Sequence, residues 1–122
     1  MIRHGCHKIQ NKYHAVRTQC NGVLYASKAE AGRAEILDLL VRSGEVRWWL
    51  RQVPIDIGEP GVDKPFRVDF LVCDKNNQVH AEDVKGVETA SFRRHKKQWR
   101  LRGPFPLHVI FNDKTEIVHG KQ

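Results

Sequence analysis

A chain of 122 residues is long enough for one hydrophobic core and too short for two of ordinary size. Its 40% hydrophobic and 29% charged residues fit a folded soluble domain, not a disordered segment, and its apolar runs fall far short of the roughly 20 residues that span a bilayer. Lys and Arg number 21 against 14 Asp and Glu, and the formal charge of +7 suits a polyanion: nucleic acid first, an acidic membrane surface second.

Residues 1–11 are polar and basic and carry no apolar h-region, so a flexible tail, no secretory signal and a cytoplasmic protein are expected. His4, Cys6 and His7 cluster there without the paired ligand spacing of a structural zinc site. The three cysteines, Cys6, Cys20 and Cys73, are widely spaced and form no CxxC, which argues for reduced thiols. The domain itself is expected over residues 12–122. It opens with a hairpin, "YHAVRTQ" and "VLYAS" around Asn21-Gly22, the strongest short hairpin signal. Ser27 then starts a helix in the capping-box pattern "SKAE", and Gly44 ends it. "EVRWWLRQVPIDI" reads as a strand that Pro54 marks as an edge or a bend. After the loop "GEPGVDKP", the strands "FRVDFLVCD" and "QVHAEDVKG" form a second hairpin around "KNN". A basic helix over about 89–102, a buried strand "LHVIFN" and a short edge strand "TEIVHGK" complete the chain. The order is β-β-α-β-β-β-α-β-β, an α/β domain with a mixed central sheet flanked by helices.

Two acids and a lysine in "EDVKG" sit where a strand should be apolar. Side chains on a strand alternate, so Asp83 and Lys85 share one face with Ala81, while His80, Glu82 and Val84 share the other. Asp69 on the preceding strand faces away from Val68 and Phe70, and pairing of the two strands lets Asp69 meet Asp83. Glu30 precedes Leu37 by seven residues and Val41 by eleven, both close to whole helical turns, which turns it inward with them. Its capping-box role is compatible with that. Three carboxylates with a lysine suit Mg²⁺, with Mn²⁺ able to substitute, in hydrolysis of a phosphodiester. The plainer account is a structural Asp83–Lys85 pair on a solvated face.

The succession "SKAE", "VDFLV", "EDVKG" resembles the PD-(D/E)xK nuclease superfamily, over roughly residues 11–112. The spacing is most like that of small phage nucleases and of Holliday junction resolvases. The resemblance implies a restriction-endonuclease-like core with Glu30, Asp69 and Asp83 as metal-binding acids and Lys85 as the catalytic lysine. It also implies the backbone carbonyl of Val84 as a further metal ligand, Gln52 as a polar residue of the site, and a phage-infected bacterial cell as the setting. Val68 stands where the superfamily often has Pro, and Asp83 where Glu is commoner, which leaves room for a contribution from Glu82.

In "VETASFRRHKKQWRLRG", Arg93, Lys96, Lys97 and Arg100 fall within one helical arc, with Phe92 and Trp99 seven apart and turned inward. Beside the acids this face becomes a phosphate clamp; alone it is an ordinary solvated face. Thr89 and Ser91 either cap the helix or donate to a phosphate. Of the adjacent Trp48 and Trp49 only one can face the core, and the other suggests a homodimer interface. There is no HExxH, no paired histidine spacing and no phosphate-binding GxxxxGK loop, so no nucleotide cofactor is expected. The reading that follows is a metal-dependent DNA endonuclease, with branched or duplex DNA as partner and Holliday junction resolution as the activity the resemblance implies. The alternatives are a nicking, mismatch or restriction-type nuclease, and a non-catalytic basic DNA-binding module. Acids on a DNA-facing surface repel phosphate unless a cation intervenes, which weighs against the last.

Overall fold

The computed structural model describes residues 7–10, 16–20 and 23–121. The Asn21-Gly22 turn and the residues His4 and Cys6 lie outside the described residues. Two compact units emerge, Met1–Leu40 and Val41–Gln122, with the boundary in the last turn of the first helix.

The first unit holds a three-stranded antiparallel sheet, β1 (His7–Gln10), β2 (Val16–Cys20) and β3 (Val23–Tyr25), in that order. β2 and β3 are the expected hairpin, with Thr18 opposite Tyr25. β1 corrects the expectation of a tail through residue 11: His7–Gln10 pairs along β2 from His7↔Gln19 to Gln10↔Val16. The hairpin leaves one edge of β2 with unpaired backbone groups, a template on which even a polar segment forms a strand. Cys20 is disulfide-bonded and so departs from the expected reduced state, whereas Cys73 is a free, buried thiol.

Helix α1 (Lys28–Ser43) starts as its sequence predicts, the Glu30 N–H donating to Ser27 Oγ at 3.1 Å. It stops at Gly44, whose φ of +84° is the left-handed conformation that a residue without Cβ adopts freely. Its buried stripe is Glu30, Ala31, Ala34 and Leu37. Val41, expected on that stripe, is exposed in the last turn together with Arg42 and Ser43.

The second unit is a five-stranded mixed sheet in the order β4 (Val46–Ile55), β5 (Phe66–Asp74), β6 (Val79–Val84), β7 (Leu107–Ile110), β8 (Thr115–Val118). Every neighbouring pair is antiparallel except β6–β7, which is parallel and is joined through helix α2 (Ala90–Arg102). Parallel neighbours need a crossover, and a helix provides it. Pro54, without an N–H to give to a ladder, sits on the edge strand β4. The β5–β6 turn is held by Asp74 Oδ1, which accepts from the amides of Asn76 (2.8 Å) and Gln78 (3.0 Å).

The core of this unit joins α2 to the sheet: Phe92 and Trp99 pack with Val68, Ala81, Leu107, Val109 and Val118. Trp99 is fully buried, and its indole N–H donates to the Phe105 carbonyl at 2.7 Å, so its one polar atom is satisfied. Gly103 follows because a Cβ there would come within 2.5 Å of the indole ring. Among the described residues no helix is long and apolar enough to cross a membrane.

Candidate metal centre

The β5–β6 register sets Phe70 opposite Glu82, so one step further along the ladder brings Asp69 to Asp83. Asp69 Oδ2 accepts the Val84 N–H at 2.8 Å, which fixes that carboxylate at the end of β6. Asp83 is 2% exposed. Lys85, two residues on and on the same face, places its ammonium 2.9 Å from Asp83 Oδ2 and 4.7 Å from the centre of the Phe92 ring. Asp69, Asp83 and Lys85 are thus brought together, as the alternation of the strand predicts.

The electrostatics of the pair are unusual for a surface ion pair. Burial, and next the neighbouring Asp69 charge, push the Asp83 carboxyl from its ordinary 3.8 up to about 7, against the pull of Lys85. The lysine is close but off line: Asp83 Oδ2 accepts no aligned hydrogen bond among the described residues. A buried carboxylate set against a second carboxylate is a donor set that fits a hard divalent cation, which would relieve their repulsion.

This shift has a sign that can be measured. Below pH 3.8 the carboxyl is protonated folded and unfolded alike. Between 3.8 and about 7 the unfolded chain releases the proton and the folded chain keeps it, so stability falls as pH rises, then levels off. Urea unfolding in a chelator from pH 4 to 8 should show the stability difference between wild type and Asp83→Asn falling across that window. A flat difference removes the buried, repelled carboxyl from the account.

Gln52 lies in β4 between the pairs Arg51↔Phe70 and Val53↔Val68, hence opposite Asp69. Its φ is +54°, a left-handed backbone in mid-strand, which costs a residue with a Cβ about 1 kcal/mol or more and is commonest at functional sites. Val84 is the last residue of β6, with its N–H already given to Asp69. Glu30 is 4% exposed in the first turn of α1, in the other unit.

The cations of α2 divide. Arg93, Lys97 and Arg100 are exposed and line a surface hollow with Arg94 and Lys96. Lys96, expected among the phosphate-facing set, is 8% exposed and ion-paired with Glu88 and with Glu116, the latter at 3.1 Å. Residues 92, 96 and 99 make the i, i+4, i+7 stripe that faces the sheet, so the lysine on it is drawn inward and needs its two carboxylates. Arg94 is tied to Asp63 at 2.6 Å. Thr89 caps α2, its Oγ accepting the Phe92 N–H at 3.1 Å.

Sequence reasoning missed a second group. His80 Nε2 stands 2.8 Å from Glu82 Oε2, and the parallel register puts His108 opposite Glu82, its ring stacked on that of His80 at 4.0 Å. Glu82 therefore belongs with these histidines and not with the Asp69–Asp83 pair. The His-x-Glu spacing on a strand was a visible signal for half of this group; His108 becomes visible only with the β6–β7 register.

Comparison with protein-family models, with curated proteins and with solved structures gives no match.

Proposed function

We propose that this chain is a metal-dependent DNA endonuclease of the PD-(D/E)xK type, with a restriction-endonuclease-like core, that acts on branched DNA as a Holliday junction resolvase. The observation that carries this reading is the buried Asp83, raised to about 7 beside Asp69 and contacted by Lys85. A structural ion pair would not need a second carboxylate against it in a site that disfavours charge. Asp69 and Asp83, with the Val84 carbonyl, are the proposed ligands of Mg²⁺ or Mn²⁺, and Glu30 keeps the metal-binding role that the resemblance implies. When bound, the ion supplies positive charge against the phosphodiester and eases deprotonation of water.

The remaining work falls to the chain itself. Lys85, once Asp83 turns its charge to the cation, holds the attacking water or meets the negative charge that develops on phosphate. Arg93, Lys97 and Arg100 hold the DNA backbone from one face of α2, without sequence preference. Gln52, opposite Asp69, steadies that carboxylate from the edge strand. Trp48 and Leu50, 42% and 53% exposed on β4, offer an apolar surface for a twofold partner, so that two sites make paired nicks.

Incubating the purified protein with a four-way junction, linear duplex and single strands, with and without Mg²⁺, tests the reading. Junction cleavage that needs Mg²⁺ is expected. Equal cleavage of duplex transfers the reading to a nicking or restriction-type nuclease, and no cleavage of any DNA ends it. The double variant Lys97→Ala, Arg100→Ala should weaken binding to every DNA and reduce the slope of log affinity against log salt by about 2. An unchanged slope would show that α2 does not touch the backbone.

A further inference from the structure

We infer that His80, Glu82 and His108 form a binding site for a late first-row divalent cation of the Zn²⁺ class, on the face of β6 away from Asp83. The site does not depend on the nuclease reading. One ligand atom from each residue can be chosen so that all three lie within 4.8 Å of one another. Donors about 2.0–2.1 Å from a tetrahedral ion stand about 3.4 Å apart, so binding draws the group together and turns the stacked rings to aim their nitrogens at one ion. His80 Nε2 and Glu82 Oε2 stand 2.8 Å apart.

The chemistry of the donors separates this group from the carboxylate pair. Two imidazoles and one carboxylate suit zinc and its neighbours, whereas carboxylates alone suit Mg²⁺. The two rings are stacked at 4.0 Å, which keeps both imidazoles beside Glu82. Glu82 is 1% exposed, so its carboxylate is held in place between the two strands, 2.8 Å from His80 Nε2. The imidazoles are nevertheless reachable: His80 and His108 open into a surface hollow shared with Pro104, Phe105, Pro106 and His119. Three protein ligands with solvent beyond leave a coordination position for water or another donor.

The fold explains why the three meet. His80 and Glu82 share a face because they are two apart on β6, and β7 brings His108 to Glu82 by parallel pairing. An ion there would tie together two strands that the chain connects only through α2, one of them the strand of Asp83.

Zn²⁺ competition between the full chain and a chromophoric chelator, and the visible spectrum with Co²⁺, test the site. One tight Zn²⁺ per chain is expected. His80→Gln, His108→Gln should lower its affinity at least about a hundredfold, since loss of an outer hydrogen-bond partner alone costs 10–100-fold. Asp83→Asn, and separately His4→Gln, His7→Gln, should keep it. The proposal is overturned if the unmodified chain retains no Zn²⁺, or if the His80, His108 variant binds as tightly as wild type. Should that variant not fold, the unmodified chain with Co²⁺ decides. Intense visible bands without a thiolate charge-transfer band support the site; the pale spectrum of the aquo ion, or a thiolate band assigning the metal to a cysteine, overturns it.

Discussion

Asp83→Asn is expected to lower Mg²⁺-dependent cleavage by about a thousandfold, the upper end of what removing one electrostatic group from a reacting centre costs. The amide keeps the size and one acceptor oxygen but carries no charge to hold a cation. Binding to DNA in the absence of metal should persist, because Arg93, Lys97 and Arg100 are untouched and one repelling acid is gone. Glu45→Gln, on an exposed residue paired with Lys75, is the control and should cleave normally. Single-turnover rates with saturating protein give the comparison. Cleavage by the Asn variant within tenfold of wild type would remove Asp83 from the chemistry, while lost binding together with lost cleavage would mean damage to the fold.

Trp99→Ala is expected to have the largest effect on stability. Truncating a buried Trp or Phe costs about 3–5 kcal/mol, a large share of the stability of a small domain. Trp99 is fully buried, meets Phe66 edge-on at 6.3 Å and Phe105 at 5.8 Å, and anchors α2 to the sheet. Trp99→Phe separates two contributions. It keeps much of the apolar volume but leaves the Phe105 carbonyl without its donor, for about 1–3 kcal/mol. Urea unfolding followed by circular dichroism measures both. A loss below about 1 kcal/mol for the alanine variant would mean that α2 is not held by this side chain.

The second unit was legible in the sequence because its signals are local. Pro54 names the edge, Asp74 through Gln78 name a turn, and alternation in β5 and β6 predicts that Asp69 and Asp83 meet. Lys85 follows from Asp83 by the same period. What stayed hidden depends on which neighbour a residue finds. Lys96 looks like its neighbour Lys97 in the sequence; only the packing of Phe92 and Trp99 decides that it turns inward to Glu88 and Glu116. His108 lies far along the chain from His80, and no spacing rule joins them before the parallel register is known. β1 carries little apolar pattern and forms by pairing with an edge, which its own residues do not announce.

The parallel β6–β7 pair has a consequence for the order of folding. The β5–β6 hairpin closes over a turn of a few residues and can form early, carrying Asp69 and Asp83 with it. The other edge of β6 pairs only when residue 107 reaches residue 81, across the α2 crossover. Such distant closures are slow steps, because the chain loses freedom before the contacts compensate. Until then the two acids lie on a hairpin open to water, where Asp83 is an ordinary carboxylate without its buried surroundings. On the proposed nuclease reading, the carboxylate pair would therefore gain its buried surroundings only after α2 has folded back against the sheet.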